Sequence, residues 1–187
     1  MAPTDHTEQL QDQIRRAFTT AERPPPGTIH TSNESDEAGP LLEADFAGVT
    51  DWRDLDAPFL DQAPSGYGSA LSFFSNEAFR YFLPAYLLAD LDDQLDRPDP
   101  TFHLCHGLTD ALADQPVNPQ RYGARTWAEA ARARLAGFTT AEAAAITAYL
   151  EHRAVVDEIN RDDIRQALAR YWRVRADRWP DPATSRK

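Results

Sequence analysis

The sequence predicts an all-α protein, which we expect to be an irregular single-domain bundle of about six or seven helices with at most a minor β-hairpin. Two observations predict this class. Apolar residues recur three and four positions apart in several segments of the 187-residue chain, which is the period of one helix face. Capping residues precede the longest of these segments, whereas only the stretch LLEADFAG offers a plausible short strand.

The N-terminal part is expected to hold one helix and two short helical pieces. The first helix covers about Thr7–Thr20 and carries Leu10, Ile14, Ala17 and Phe18 on its apolar side. The stretch Asp51–Ala63 has near-helical apolar spacing that Pro58 interrupts, so we expect two pieces there. Between these regions, Arg23–Pro40 is too polar to fold alone. It is predicted to be a mobile loop, and the alternative is a segment that orders on a partner.

The clearest predicted helix begins at Ser75 and runs to about Asp93, because Ser75 can cap the first turn and an apolar face follows. We assign the core of the protein to this helix. The predicted core residues are Phe79, Phe82, Leu83, Pro84, Tyr86 and Leu87. On a helical wheel Pro84 lies opposite the apolar stripe. We therefore expect a proline on a solvated face, with a bend or helix restart, and a functional hinge is the alternative.

The central stretch FFSNEAFRYFLPAYL resembles the signature block of a bacterial family of uncharacterised proteins, domain of unknown function 6714. The order of other segments is similar as well: IRRAF and DFAGVTDWRDL before the block, FTTAEAAAITAYLEH and ALARYW after it. The resemblance covers the chain from Leu10 to Trp172, and the central block is its specific part. It implies no known activity, substrate or cofactor, so no catalytic residue can be transferred.

The C-terminal half is expected to contain four helices. Thr101–Asp114 would turn Phe102, Cys105, Leu108 and Leu112 inward, and a loop, PVNPQRYG, follows it. The next helix, TWAEAARARLAG, would end at Gly137 in a left-handed cap.

A capping box of Thr139 and Glu142 opens the third helix, whose packing residues are Ile146, Tyr149 and Leu150. The last helix, about Asp163–Arg178, would be capped by Asn160 or Asp162 and packed through Ile164, Leu168 and Tyr171. Residues 180–187 are expected to be a flexible tail.

Charge is distributed unevenly along the chain. Residues 1–93 hold 17 acidic and 5 basic side chains, whereas residues 94–187 hold 13 and 14, within a net charge of −11. Such a field disfavours nucleic acid and membrane phosphates and favours a basic partner, or serves solubility alone. The single cysteine excludes an intrachain disulfide, and no signal peptide or long apolar span is visible, so a cytoplasmic protein is expected.

Two groups of residues suggest a metal site, each with a simpler explanation. His103, His106 and Asp110 would line one side of a helix, near Cys105, and suit a transition metal. Ordinary helix surface, with Cys105 as a small buried residue, is the alternative. Asp92 and Asp96 lie one turn apart and suit a hard cation, but the calcium-loop pattern is not met and a solvated helix end is the favoured explanation.

The last helix interleaves arginine with large aromatic residues, which is typical of an interface or a stacking platform. The candidate partner-binding residues are Arg170, Trp172, Arg173, Arg175 and Trp179. Alternatively, the two tryptophans pack on the domain and the arginines neutralise its acidic half.

The sequence therefore favours a non-enzymatic cytoplasmic domain that binds another protein, with a regulatory or immunity-like role. No phosphate loop, nucleophile elbow or dinucleotide motif is present, and no cofactor is expected. Two alternatives are a small metal-assisted hydrolase that uses His103 and His106, and a nucleic-acid-binding protein that uses the C-terminal arginines.

Overall fold

The computed structural model describes residues 3–31, 38–62 and 70–177, and the regular secondary structure within them is entirely helical. The predicted fold class is confirmed: this part of the chain has no β-sheet and only two isolated β-bridges, His30–Phe74 and Pro116–Thr126. The fold divides into two compact units, Met1–His103 (unit 1) and Leu104–Lys187 (unit 2). Among the described helices, none is long and apolar enough to cross a membrane.

Unit 1 is built around four helices and two short 3₁₀ turns. The helices are α1 (Pro3–Ala17), α2 (Ala38–Phe46), α3 (Ala57–Gln62) and α4 (Asn76–Leu91), and the 3₁₀ turns are Trp52–Asp54 and Ala70–Ser72. The prediction that LLEADFAG forms a strand is wrong, because this stretch forms most of α2. Leu42 and Phe46 are both fully buried, and a spacing of four residues places them on the same side of a helix.

Helix α4 is the centre of unit 1 and starts where the sequence predicts. The Ser75 hydroxyl accepts a hydrogen bond from the Ala78 amide at 3.2 Å and donates one to the Thr28 carbonyl at 2.7 Å. The predicted core residues are all buried, but the expectation that Pro84 faces solvent is wrong. Tyr81, Ala85 and Ala89 are buried as well, so α4 is enclosed on nearly every side and the opposite side of its wheel is also core.

A group of packed aromatic rings joins α4 to the rest of unit 1. Phe46 of α2 makes edge-to-face contacts with Phe59, Phe74 and Phe82, with ring centroids 5.0, 5.1 and 4.7 Å away. Tyr86 packs against Phe74 at 6.5 Å. Each such contact contributes about 0.5–1.5 kcal/mol beyond the burial of its area.

The two ends of the segment predicted to be a mobile loop are held by specific contacts. The Glu43 carboxylate on α2 accepts hydrogen bonds from the backbone amides of Gly27, Ile29 and His30, at 3.1, 2.7 and 3.3 Å. It also contacts the His30 ring at 3.1 Å. Ile29 is fully buried, and Gly39 already belongs to the first turn of α2. Residues 32–37 lie outside the described residues.

The helix predicted over Thr101–Asp114 is much shorter. Helix α5 (Pro100–Cys105) ends early because Gly107 adopts a left-handed conformation, with φ of 81°. Leu108 and Cys105 are buried as predicted, but Phe102 is 51% exposed, so its predicted inward position is wrong. The buried side of α5 is formed instead by Thr101, Leu104 and Cys105.

Unit 2 contains the remaining helices. They are α6 (Pro119–Tyr122), α7 (Trp127–Leu135), α8 (Thr140–Val156), α9 (Arg161–Ala167) and α10 (Arg173–Ala176), with a π-helical turn, Leu168–Trp172, that joins the last two without a break. The predicted capping box of Thr139 and Glu142 is confirmed, and an unpredicted second one, of Thr126 and Glu129, starts α7.

Two expectations about the boundaries of these helices are wrong. Helix α7 ends at Leu135 with Ala136 as its C-cap, but Gly137, which follows the C-cap, does not have the positive φ of the predicted left-handed cap. Part of the predicted loop PVNPQRYG forms α6, which Asn118 caps through hydrogen bonds from the amides of Gln120 and Arg121.

Candidate functional site

Trp172, the first of the two tryptophans in the predicted binding surface, lies in the core. Trp172 is 0% exposed, and its indole Nε1 donates a hydrogen bond to the Leu104 carbonyl at 2.9 Å. Its ring meets Phe138 and Tyr171 edge to face. The prediction that Trp172 is a partner-binding residue therefore has to be corrected, since a side chain in this position is not available to a partner. Trp179 lies outside the described residues.

The three arginines of that surface contact groups of unit 2 itself. Arg170 forms an ion pair with Asp110. Arg173 binds Glu151 Oε1 through Nε at 3.1 Å and Nη2 at 3.0 Å. Arg175 donates to the backbone carbonyls of Ala136, at 3.3 Å, and Phe138. These carbonyls follow the C-terminus of α7, where a cation is favourable. The geometry is thus the one expected of arginines that neutralise and cap their own unit.

The histidines of the predicted metal site do not share a helix face. Because α5 ends at Cys105, His106 and Asp110 lie outside it. The His103 ring packs against Phe79 and Phe102, and the His106 ring packs 4.7 Å from Trp127. Burial lowers the pKa of His106. Throughout the described ranges, no three His, Cys, Asp or Glu side chains are grouped so as to hold a metal ion.

The chain around the C-terminus of α4 forms an acidic edge, which we define by Asp92, Asp93 and Asp96. Asp92 is the C-cap of α4 and accepts a hydrogen bond from Gln11 at 2.7 Å. Asp93 has a φ of 55°, so the chain reverses there. All three side chains are exposed. Among the described residues none of these carboxylates forms an ion pair with a basic side chain, so their charge is presented to solvent.

A cleft of about 460 Å³ opens beside this edge. The residues that line it are Pro58, Asp61, Gln62, Gln94, Asp96 and Arg97. Asp61 fixes the loop after α4, because one of its carboxylate oxygens accepts hydrogen bonds from the amides of Asp96 at 3.0 Å and Arg97 at 3.1 Å. We refer to this site as the acidic cleft.

A buried tyrosine hydroxyl lies within the electrostatic reach of the acidic cleft. Tyr86 is fully buried, and its hydroxyl has no hydrogen-bond partner among the residues that the structure describes. Burial first, and the negative charge of Asp61 second, raise the pKa of Tyr86 far above its ordinary value. The sequence assigned Tyr86 to the core as an apolar residue, and nothing in its spacing distinguishes it from the neighbouring phenylalanines.

Sequence reasoning also missed the acidic cleft as a whole. It singled out Asp92 and Asp96 as a possible cation site but did not connect them with Asp61, which lies 35 residues before Asp96. A signal was available in the density of aspartates in DLDDQLDRPD. It did not reveal that α3 contributes one wall.

Comparison with known proteins gives the family of the chain and nothing about its activity. No curated protein and no solved structure matches the chain significantly. A family model, described as a family of unknown function (DUF6714), matches residues 6–176. This range includes both units up to the end of the last described helix, and it confirms the resemblance seen in the sequence. The chain therefore belongs to the DUF6714 family, whose function is unknown.

Proposed function

We propose that this protein is a non-enzymatic binding domain that recognises a basic segment of another protein through the acidic cleft of unit 1. The observation that carries the proposal is the cleft itself, with Asp61 and Asp96 in its lining and Asp92 and Asp93 exposed next to it in the chain. A lysine or arginine side chain is the natural complement of such a lining, since it donates hydrogen bonds and carries the opposite charge.

The charge of the whole unit supports this choice of partner. Residues 1–103 carry 19 acidic and 6 basic side chains, a net charge of −13, whereas residues 104–187 carry 11 and 13, a net charge of +2. A concentrated field of one sign accelerates association with a partner of the opposite sign. The same field opposes nucleic acid, which is why a protein with a basic surface is the better candidate.

The cleft has free acceptor capacity for a cationic side chain. A carboxylate offers about four acceptor positions, of which the Asp61 group uses only part for the amides of the loop. The amide oxygens of Gln62 and Gln94 are further acceptors, while Arg97 is the cation in the lining. The cleft volume of about 460 Å³ is within the usual range for small-ligand sites, which suits one or two side chains.

The geometry gives the two alternative functions less support. His103 and His106 do not share a helix face, and Arg170 and Arg173 bind carboxylates of their own unit. We therefore take neither the metal-assisted hydrolase nor the nucleic-acid-binding protein as the proposed function.

The test is affinity capture of the tagged full-length chain from lysate of its source organism, at low and at high salt. An edge variant, Asp92→Asn with Asp93→Asn and Asp96→Asn, removes three charges while the Gln11 contact and the left-handed backbone at Asp93 are kept, because asparagine tolerates that conformation. A control variant, Glu8→Gln with Glu22→Gln and Glu77→Gln, removes three exposed charges elsewhere on unit 1.

We expect one basic protein to be retained at low salt by the wild type and the control variant and to be lost with the edge variant. It should also be lost at high salt, since the Debye length falls from about 10 Å at 0.1 M to about 3 Å at 1 M. Equal retention by all three proteins would contradict the proposal. Equal loss from the edge and control variants would show that net charge, and not the acidic cleft, is responsible.

A further inference from the structure

Three aliphatic side chains are exposed together at the turn that joins α8 to α9. Val155 is 74% exposed, Val156 is 53% exposed and Ile159 is 93% exposed. Val156 ends α8 and Ile159 follows three residues later, so their Cα atoms are at most about 11 Å apart, since consecutive Cα atoms are 3.8 Å apart. Single exposed aliphatic residues are common, whereas exposed apolar residues that lie close together are a feature of interaction sites. We call these residues the turn cluster.

The turn that presents these residues is held rigidly on both sides. The Asp157 carboxylate accepts hydrogen bonds from the amides of Ile159 and Asn160, each at 3.0 Å, and from Asn160 Nδ2 at 2.9 Å. Arg161 donates through Nε to the Ala154 carbonyl at 3.0 Å and through Nη2 to the Val155 carbonyl at 3.3 Å. The Asp157 amide donates to the Arg153 carbonyl at 2.8 Å.

These bonds cap the last carbonyls of α8 and fix the turn before any partner arrives. A surface that is already ordered loses little conformational entropy on binding. The polar groups of the turn already form hydrogen bonds within unit 2. The aliphatic side chains are therefore the groups of this turn that gain most free energy from burial.

The charges around the turn cluster indicate the chemistry of the partner. The side chains of Glu158 and Asp162 are 86% and 87% exposed, and their nearest cations, Arg161 and Arg165, are 3.9 and 3.6 Å away. Ion pairs this exposed are weak. A partner that offers an apolar pocket to Ile159 therefore meets two carboxylates at its rim, which basic side chains would complement.

A second copy of the chain fits this surface less well. The net charge of −11 opposes self-association, and a symmetric contact centred on Ile159 would bring Glu158 and Asp162 of both copies together. An anionic membrane surface is repelled by the same carboxylates.

We propose that the turn cluster docks into an apolar pocket of a partner protein and that lysine or arginine side chains border this pocket. This surface belongs to unit 2 and its use does not depend on the acidic cleft. Ile159 is the central anchor, Val155 and Val156 contribute area, and Glu158 and Asp162 orient the partner.

The first step of the test places a photo-cross-linking amino acid at position 159 of the full-length chain in its native cells. Mass spectrometry then maps the cross-linked residue. The partner identified by the cross-link is then purified separately. Its binding is measured by titration with the wild type, with Ile159→Ser, with Val174→Ser and with the double variant Glu158→Gln and Asp162→Asn. Val174 is the matched control, because it is 50% exposed and lies on α10, outside the turn.

We expect a cross-link to an apolar residue that has lysine or arginine around it. Ile159→Ser should weaken binding at least about tenfold, as for a central anchor, whereas Val174→Ser should change it less than about twofold. The double variant Glu158→Gln and Asp162→Asn should associate more slowly, and its association rate should depend less on salt. Thermal unfolding of each variant checks the fold, which should not change because Ile159 is almost fully exposed.

Three results would overturn the proposal: a cross-link to a second copy of the chain, no cross-link to any protein, or equal binding by Ile159→Ser and the wild type. The edge variant of unit 1 serves as a further control, because it keeps the turn cluster. If only the edge variant loses binding, the acidic cleft and not the turn cluster binds the partner. If only Ile159→Ser loses binding, the turn cluster binds it, so the two proposals are tested separately.

Discussion

Replacement of Trp172 by phenylalanine tests whether this residue is a core residue or a binding residue. Helix α5 ends at Cys105, so the Leu104 carbonyl is one of the last four that have no partner within the helix. The Trp172 indole Nε1 supplies that partner at 2.9 Å. Phenylalanine keeps the six-membered ring and removes the N–H donor.

The expected cost has two parts. A buried carbonyl that loses its hydrogen-bond partner costs about 1–3 kcal/mol. The smaller ring leaves unfilled a space equivalent to about two methylene groups, at about 0.8 kcal/mol each. The free energy of unfolding should therefore fall by about 2.5–4.5 kcal/mol, which is a large part of the about 5–15 kcal/mol available to a typical domain.

The assay is urea unfolding followed by far-ultraviolet circular dichroism, which does not depend on tryptophan fluorescence. The midpoint should fall while the slope with urea concentration stays constant. Val174→Ala is the control on the same helical run, and as a half-exposed substitution it should change stability by no more than about 0.5 kcal/mol. A loss below about 1 kcal/mol for Trp172→Phe would refute the core assignment and restore Trp172 as a surface candidate.

Three further predictions concern unit 1 and the break after α5. Gly107→Ala should destabilise by about 2 kcal/mol more than Gly27→Ala in the same urea assay, because both residues have φ near 80° but only at Gly107 would a Cβ lie 2.8 Å from the Trp127 carbonyl; equal losses would contradict this. Tyr86→Phe should leave stability unchanged or raise it by about 1 kcal/mol, since the hydroxyl has no partner to lose within the described part of the chain, and a clear loss would reveal a partner. Glu43→Gln should destabilise by about 1–2 kcal/mol at neutral pH. Burial alone would raise the pKa of Glu43, but the hydrogen bonds from His30, Ile29 and Gly27 outweigh it and hold the pKa below its ordinary value of 4.5. The stability that Glu43 contributes is therefore present above pH 4.5 and lost as the pH falls through the lower folded pKa, so the variant and wild type should converge in acid.

The sequence predicts best the features that local hydrogen bonds determine. The start of α4 at Ser75 and the start of α8 at Thr139 follow from a side-chain oxygen placed three residues before a free amide. The buried faces of α8 and of the last helix follow from the spacing of Ile146, Tyr149 and Ile164. These relations involve neighbours in the chain and do not depend on the rest of the fold.

The errors arise where contacts distant in sequence override the local pattern. Pro84 is buried because the side of α4 that a helical wheel assigns to solvent is covered by tertiary packing. Leu42 and Phe46 are four residues apart and both buried, so the helix α2 places them on the same side. From the sequence alone, a short apolar run is equally compatible with a strand. Phe102 is exposed because α5 packs through Thr101, Leu104 and Cys105, and Phe102 lies on another side of this short helix.

The candidate sites depend even more on the fold. The sequence cannot distinguish Trp172, a buried anchor, from an exposed tryptophan in the same arginine-rich helix. The acidic cleft joins Asp61 to Asp96 across 35 positions, and only the packing of α3 beside the end of α4 brings them together. The turn cluster is different, because Ile159 between Glu158 and Asn160 already stands out in a polar turn; the sequence does not show that its side chain remains uncovered.

The two proposed surfaces should act on different rate constants of binding. The charges of the acidic cleft are long-range and weakly paired, so their removal should mainly lower the association rate, and the loss should diminish as salt increases. The turn cluster acts only after contact, through burial of Ile159, so its removal should mainly raise the dissociation rate with little dependence on salt. Stopped-flow association and dissociation of the captured proteins, with the edge variant and Ile159→Ser, measure both. A salt-dependent association defect in Ile159→Ser would contradict this division, because an uncharged side chain has no means of steering a partner from a distance.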